Sequence, residues 1–175
     1  MKKLLVVVDM QNDFIDGALG TKEAESIVEN VVKKIKDWQD EIVCTLDTHQ
    51  KNYMSTQEGR NLPVMHCVEN TDGWKINEKV DRALTESGKT VKAFKKVTFG
   101  SLELADHIRK ENYGSIEFIG LCTDICVISN VIATKAAVPE SEITVDASCC
   151  AGVTPQSHKN ALEAMKMCQI KIINE

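Results

Sequence analysis

The chain has 175 residues, 43% of them hydrophobic and 27% charged, with a formal net charge of -5. This fits one soluble globular domain over residues 1–175 that needs no cross-links, and the acidic balance excludes nucleic acid or an anionic membrane as the main partner. Its seven cysteines form no Cys-x-x-Cys pair and its longest apolar runs are strand-length, so we expect no disulfide framework, no membrane span and a cytoplasmic location.

In chain order, the first predicted element is a strand from Leu4 to Val8, followed by Asp9. Ile27, Val31, Ile35 and Trp38 then repeat at helical spacing. A second strand, Ile42 to Leu46, leads into Asp47-Thr-His49. From Asp47 to Gly73 the chain is rich in Asn, Gln, Glu, Gly and His with little periodicity, and so long an irregular stretch in a compact domain is usually functional. A strand from Thr90 to Phe94 precedes Lys96, and Leu102, Ala105 and Ile108 mark the next helix. The strand Ile116 to Leu121 runs into GLCTDICV, where a helix starts near Thr123 and ends by Ala137, before Pro139. A strand at Ile143 to Val145, a helix opened by Thr154-Pro155 and a strand at Ile170 to Ile173 complete the set. Strands alternating with helices give an α/β fold, a three-layer doubly wound Rossmann-like arrangement around a six-stranded parallel sheet.

In such a sheet, ligands bind at the carboxyl ends of the strands. Asp9, Asp47 with His49, Lys96 and Cys126 all fall at such ends. A thiol at position 126 would meet the unpaired N–H groups and positive pole of a helix start, which favour thiolate, and the same N–H groups could receive an oxyanion. Cys122 reads as a small filler, since a metal pair usually has two intervening residues and a disulfide would face a reducing compartment. Cys44, Cys67 and Cys168 read as core packing, and His107 and His158 as solvated surface. Asp9 follows an all-apolar run and could shuttle a proton, but Asp-x-x-Asn-Asp equally suits a helix cap or turn. Asp47 and His49, with Glu58 and His66, could be metal ligands or incidental polar residues of a surface loop.

Taken together, VVVDMQNDF, LDTH, PVMHCVENTDGW, KKVTFGS and GLCTDICV resemble the isochorismatase-like cysteine hydrolases, most closely the nicotinamidase branch, over nearly the whole chain. The resemblance implies a catalytic triad of Asp9, Lys96 and Cys126. It also implies a cis peptide between Leu121 and Cys122, and an oxyanion hole of the Cys122 and Cys126 backbone N–H groups. Asp47, His49 and His66 match metal ligands for one divalent ion, zinc, manganese or iron. The chain departs from an Asp-x-His-x5-His pattern at Ser55, which makes Glu58 the remaining candidate ligand. Phe14, Leu19, Trp74 and Phe99 match positions around a ring pocket. The implied activity is hydrolysis of a small-molecule carboxamide, nicotinamide foremost, by a homo-oligomer. Another carbamoyl or amide hydrolase of the superfamily and a non-catalytic binding module are the competing readings.

Overall fold

The computed structural model describes residues 2–175. Its sheet has six parallel strands: β1 (Lys3–Val8), β2 (Glu41–Asp47), β3 (Lys92–Lys96), β4 (Ser115–Leu121), β5 (Glu142–Ala151) and β6 (Lys171–Ile173). They lie in the order β3-β2-β1-β4-β5-β6. The chain winds outward from β1 in one direction and then, from β4 on, in the other. The crevice between the ends of β1 and β4 is therefore the switch point of the sheet, where an open α/β fold receives ligands.

The two-residue period of β1 explains the layering. Leu4, Val6 and Val8 enter one apolar core, and Leu5 and Val7 enter the other. The first core is closed by α5 (Leu102–Glu111), α6 (Ile128–Ala137) and α7 (Pro155–Met167). The second is closed by α2 (Lys22–Asp37) and α4 (Glu78–Glu86). α2 shows why these segments are helical: Ala24, Ile27, Val28, Val31 and Ile35 make one buried stripe, and the Thr21 hydroxyl caps the first turn by accepting the Ala24 N–H at 3.0 Å. Each fully buried Val, Leu or Ile contributes about 1.5–3 kcal/mol against the cost of ordering the chain. Among the described residues no helix is long and apolar enough to cross a membrane.

Several boundaries differ from the sequence reading. β3 starts and ends two residues later than expected, because its pairing with β2 runs from Val43–Lys92 to Asp47–Lys96, and Lys96 is thereby a strand residue. β5 extends six residues past Val145, since its pairing with β4 jumps from Phe118–Val145 to Gly120–Cys150. The helix expected from Thr123 opens instead as a π-helical turn, Thr123–Val127, before α6. α4 was not anticipated, although the spacing of Val80, Ala83 and Leu84 carries it. The irregular stretch contains a 3-10 turn (Tyr53–Ser55) and α3 (Gln57–Asn61). Two further short pieces matter below: α1 (Asn12–Ile15) and the peptide Leu121–Cys122, which is cis.

Candidate active site

β1 ends at the bottom of the crevice, and the next residue, Asp9, is fully buried with a left-handed φ of 46°. An L-residue held there carries about 1–2 kcal/mol of backbone strain. Its Oδ1 accepts the Thr45 hydroxyl of β2 at 2.7 Å, and its Oδ2 lies 2.6 Å from Lys96 Nζ at the end of β3. Lys96 Nζ in turn donates to Cys126 Sγ at 3.4 Å and reaches Asp47 Oδ1 at 3.5 Å. The structure thus brings Asp9, Lys96 and Cys126, from three separate strand ends, around one buried ammonium.

Gly120 makes this approach possible. Its φ of +115° and the overlap any Cβ would make with the Val8 carbonyl oxygen leave room only for glycine where β4 passes β1. Beyond it, the Cys122 carbonyl accepts the N–H groups of both Ile125 (3.1 Å) and Val127 (3.0 Å). The backbone N–H of Cys122 finds no acceptor among the described residues.

Burial sets the proton affinities. It raises that of Asp9 above the ordinary carboxylate range, although Lys96 and Thr45 pull it down. It also pushes the Cys126 thiol well above its usual value, with the Asp9 charge adding to the effect and Lys96 opposing it. The sequence reading expected the helix-end field to favour the thiolate; removal from water shifts Cys126 the other way, toward the thiol, which calls for a proton acceptor beside the sulfur. Burial works against the Lys96 charge too, but Asp9, Cys126 and Asp47 keep it protonated. Cys122, whose thiol is pushed to about 12 by burial, is inert as a nucleophile.

A second cluster lies next to the first. Asp47, His49, Glu58 and His66 offer ligand atoms that all lie within 4.8 Å of one another. His49 Nε2 is 3.1 Å from Asp47 Oδ2 and 3.5 Å from Glu58 Oε1, yet it is buried without a hydrogen-bond partner. His66 Nδ1 donates to the Val64 carbonyl at 2.8 Å, which turns Nε2 toward Asp47 Oδ2 at 3.5 Å. An orphaned imidazole nitrogen facing two carboxylates fits a bound divalent cation. Burial disfavours the Asp47 anion, but the imidazoles and Lys96 hold its carboxyl well below the usual range. Gln11, fully buried, fixes Asp47 by accepting its N–H and donating to its carbonyl, each at 2.8 Å. Asp13 accepts the Cys67 N–H at 2.8 Å and so holds the His66 segment. Ser55 is exposed, its hydroxyl turned to the Asn52 carbonyl, and takes no part.

Both clusters open on a cavity of about 320 Å³. Phe14, Leu19 and Phe99 line it as the sequence reading placed them, together with Leu62, Ile125 and Val153, which that reading missed. Asp47, Glu58, His66, Cys122 and Cys126 reach it as well. Trp74 does not: its indole N–H donates to Thr48 at 2.9 Å, and the residue borders a separate groove beside Asp13 and Asp72. Two other expectations fail. His107 and His158 are half-buried rather than solvated, the first against Phe94 (5.2 Å between ring centres) and the second bonded through Nδ1 to Thr123 Oγ1 at 2.7 Å. Cys168 is exposed, whereas Cys44 and Cys67 are buried.

A family model described as the isochorismatase domain matches residues 3–174. The nicotinamidase of Saccharomyces cerevisiae is 24% identical over 99% of this chain and 100% of its own length. Among solved structures, the nicotinamidase/pyrazinamidase of Bacillus subtilis superposes with a TM-score of 0.88 at 24% identity, covering 99% of this chain and 100% of that one. The pyrazinamidase of Pyrococcus horikoshii in complex with zinc gives a TM-score of 0.80 at 27% identity, with both chains covered fully.

Proposed function

The chain belongs to the isochorismatase domain family, and from that premise we propose that it is a cysteine amidohydrolase of the nicotinamidase type, releasing ammonia from the exocyclic carboxamide of nicotinamide. The observation that carries this reading is the Lys96 ammonium set 2.6 Å from Asp9 and 3.4 Å from the Cys126 sulfur beside an apolar cavity. The cavity walls include no lysine or arginine among the described residues. A neutral ring amide suits these largely apolar walls, which offer neither of those side chains to pair a carboxylate.

In this mechanism Asp9 takes the thiol proton as the sulfur attacks the amide carbon, and the ammonium of Lys96 balances the anions. The tetrahedral oxyanion is received by the backbone N–H groups of Cys122 and Cys126. Asp9 returns the proton to the nitrogen, the C–N bond breaks, and ammonia leaves a thioester on Cys126. Water then gives a proton to Asp9 and attacks the thioester; collapse releases the acid and restores the thiol. Asp47, His49, Glu58 and His66 would hold one divalent ion, of zinc, manganese or iron, whose contribution when bound is a Lewis-acid contact that orients a ring nitrogen. Phe14, Leu19 and Phe99 would pack against the ring.

Ammonia release from nicotinamide, measured with and without a chelator, tests the reading. Wild-type protein should turn over, and Cys126→Ala and Asp9→Asn should each lose about 10³-fold or more of kcat/KM. Turnover that survives Cys126→Ala, or release from a carbamoyl acid but never from nicotinamide, would overturn it.

A further inference from the structure

Asn130 lies in α6, one turn beyond the candidate nucleophile, and is only 1% exposed. All three of its hydrogen bonds join pieces of the site. Its Nδ2 donates to the Cys126 carbonyl at 2.8 Å and to the Phe99 carbonyl at 3.1 Å, and its Oδ1 accepts the Ser101 N–H at 2.9 Å. Phe99 stands on the loop that links Lys96 to α5, and Ser101 caps that helix by accepting the Leu104 N–H. The loop has few other anchors: Val97 and Phe99 are 76% and 44% exposed, so the aromatic wall is not held by burial. One amide group therefore spans the gap between the nucleophile turn and the loop that carries both Lys96 and the Phe99 wall.

We propose that Asn130 is a positioning and specificity-determining residue, which fixes the Phe99 wall at a set separation from Cys126 and so selects a flat ring one carboxamide away from the sulfur. The inference rests on the amidohydrolase reading for its substrate, but its geometry can be read without turnover. Two of the three bonds require an N–H donor, and only the bond to Ser101 requires an acceptor. Asn130→Asp keeps the acceptor and turns an oxygen toward two carbonyls, so it separates the wall from the cap.

The test compares wild type, Asn130→Ala, Asn130→Asp, Phe99→Ala and the Asn130→Ala/Phe99→Ala double variant. One readout is steady-state ammonia release from nicotinamide. The other is alkylation of Cys126, followed by peptide mass spectrometry, with iodoacetamide, which has no ring, and phenacyl bromide, which has one. Both Asn130 variants should raise KM about ten-fold with kcat within about three-fold, and should slow phenacyl bromide about ten-fold while iodoacetamide stays within about two-fold. Phe99→Ala should show the same selective loss, and the double variant should be no worse than Phe99→Ala alone, because coupled residues are not additive. The proposal is overturned if Asn130→Asp behaves like wild type, if both reagents slow together with a lowered Tm, or if the single losses multiply in the double variant. A wild type that releases no ammonia while the selective alkylation pattern holds would sink the substrate assignment and leave the role of Asn130 supported.

Discussion

Asp9 has to gain and lose a proton during each cycle of the proposed reaction, and Thr45 sets how easily it does so. The hydroxyl at 2.7 Å stabilises the carboxylate and lowers its proton affinity, while burial raises it. As a base Asp9 works only when ionised, so kcat/KM is lost as pH falls through its raised pKa, above the ordinary carboxylate range. Thr45→Val removes the hydrogen bond; the acid limb should move to still higher pH and kcat should fall about ten-fold, which a pH–rate profile checks. Residues at strand ends were legible in the sequence, because position alone puts Asp9, Asp47, Lys96 and Cys126 on one rim. Thr45 and Asn130 were not. Each is a polar residue inside an apolar run, EIVCTLD or VISNVIA, and its partners come from elements remote in sequence. The opposing effect of burial on Cys126 was not legible for a related reason: a helix start is visible locally, whereas burial is a property of the folded whole.

Among the elements, β4 and β5 show how far local patterning reaches. The apolar run of β4 announces the strand, but the jump in register to β5 depends on pairing between strands, and the expected end at Val145 came too early. The π-helical turn was likewise invisible, since its periodicity differs from an α-helix by one residue over a single turn. Gly120 lies where this irregular pairing meets β1. Gly120→Ala would force backbone apart and should cost about 3 kcal/mol or more, measurable by urea denaturation. On the side of the sheet covered by α2, Lys34 of that helix lies 2.6 Å from Glu117 of β4 and 2.7 Å from Asp146 of β5. Burial alone would raise the Asp146 pKa, but Lys34, Ser148 and Asn174 hold it below the ordinary value. A depressed carboxyl stabilises the fold above the unfolded-state pKa and loses that contribution as pH falls through the folded one. Asp146→Asn should therefore cost about 2–3 kcal/mol at pH 7, with the gap to wild type narrowing below about pH 4 in thermal melts.

For the molecule as a whole, the winding order of the sheet explains why one cavity gathers residues from so many places. α3 carries Glu58 and is followed directly by Leu62, so one short segment supplies a candidate metal ligand and a cavity wall. Metal-stripped protein given zinc at about 100 times its Kd should gain about 2.7 kcal/mol, a rise in Tm of about 5–11 °C, and Glu58→Gln should blunt that gain. The burial that pushes the Cys126 thiol above its usual proton affinity has a further consequence. Peroxides and other electrophilic oxidants attack the anion, and Cys126 is only 5% exposed. A cell under oxidative attack would thus find the idle protein resistant, with its vulnerability confined to the moments when a bound amide draws the hydrogen away.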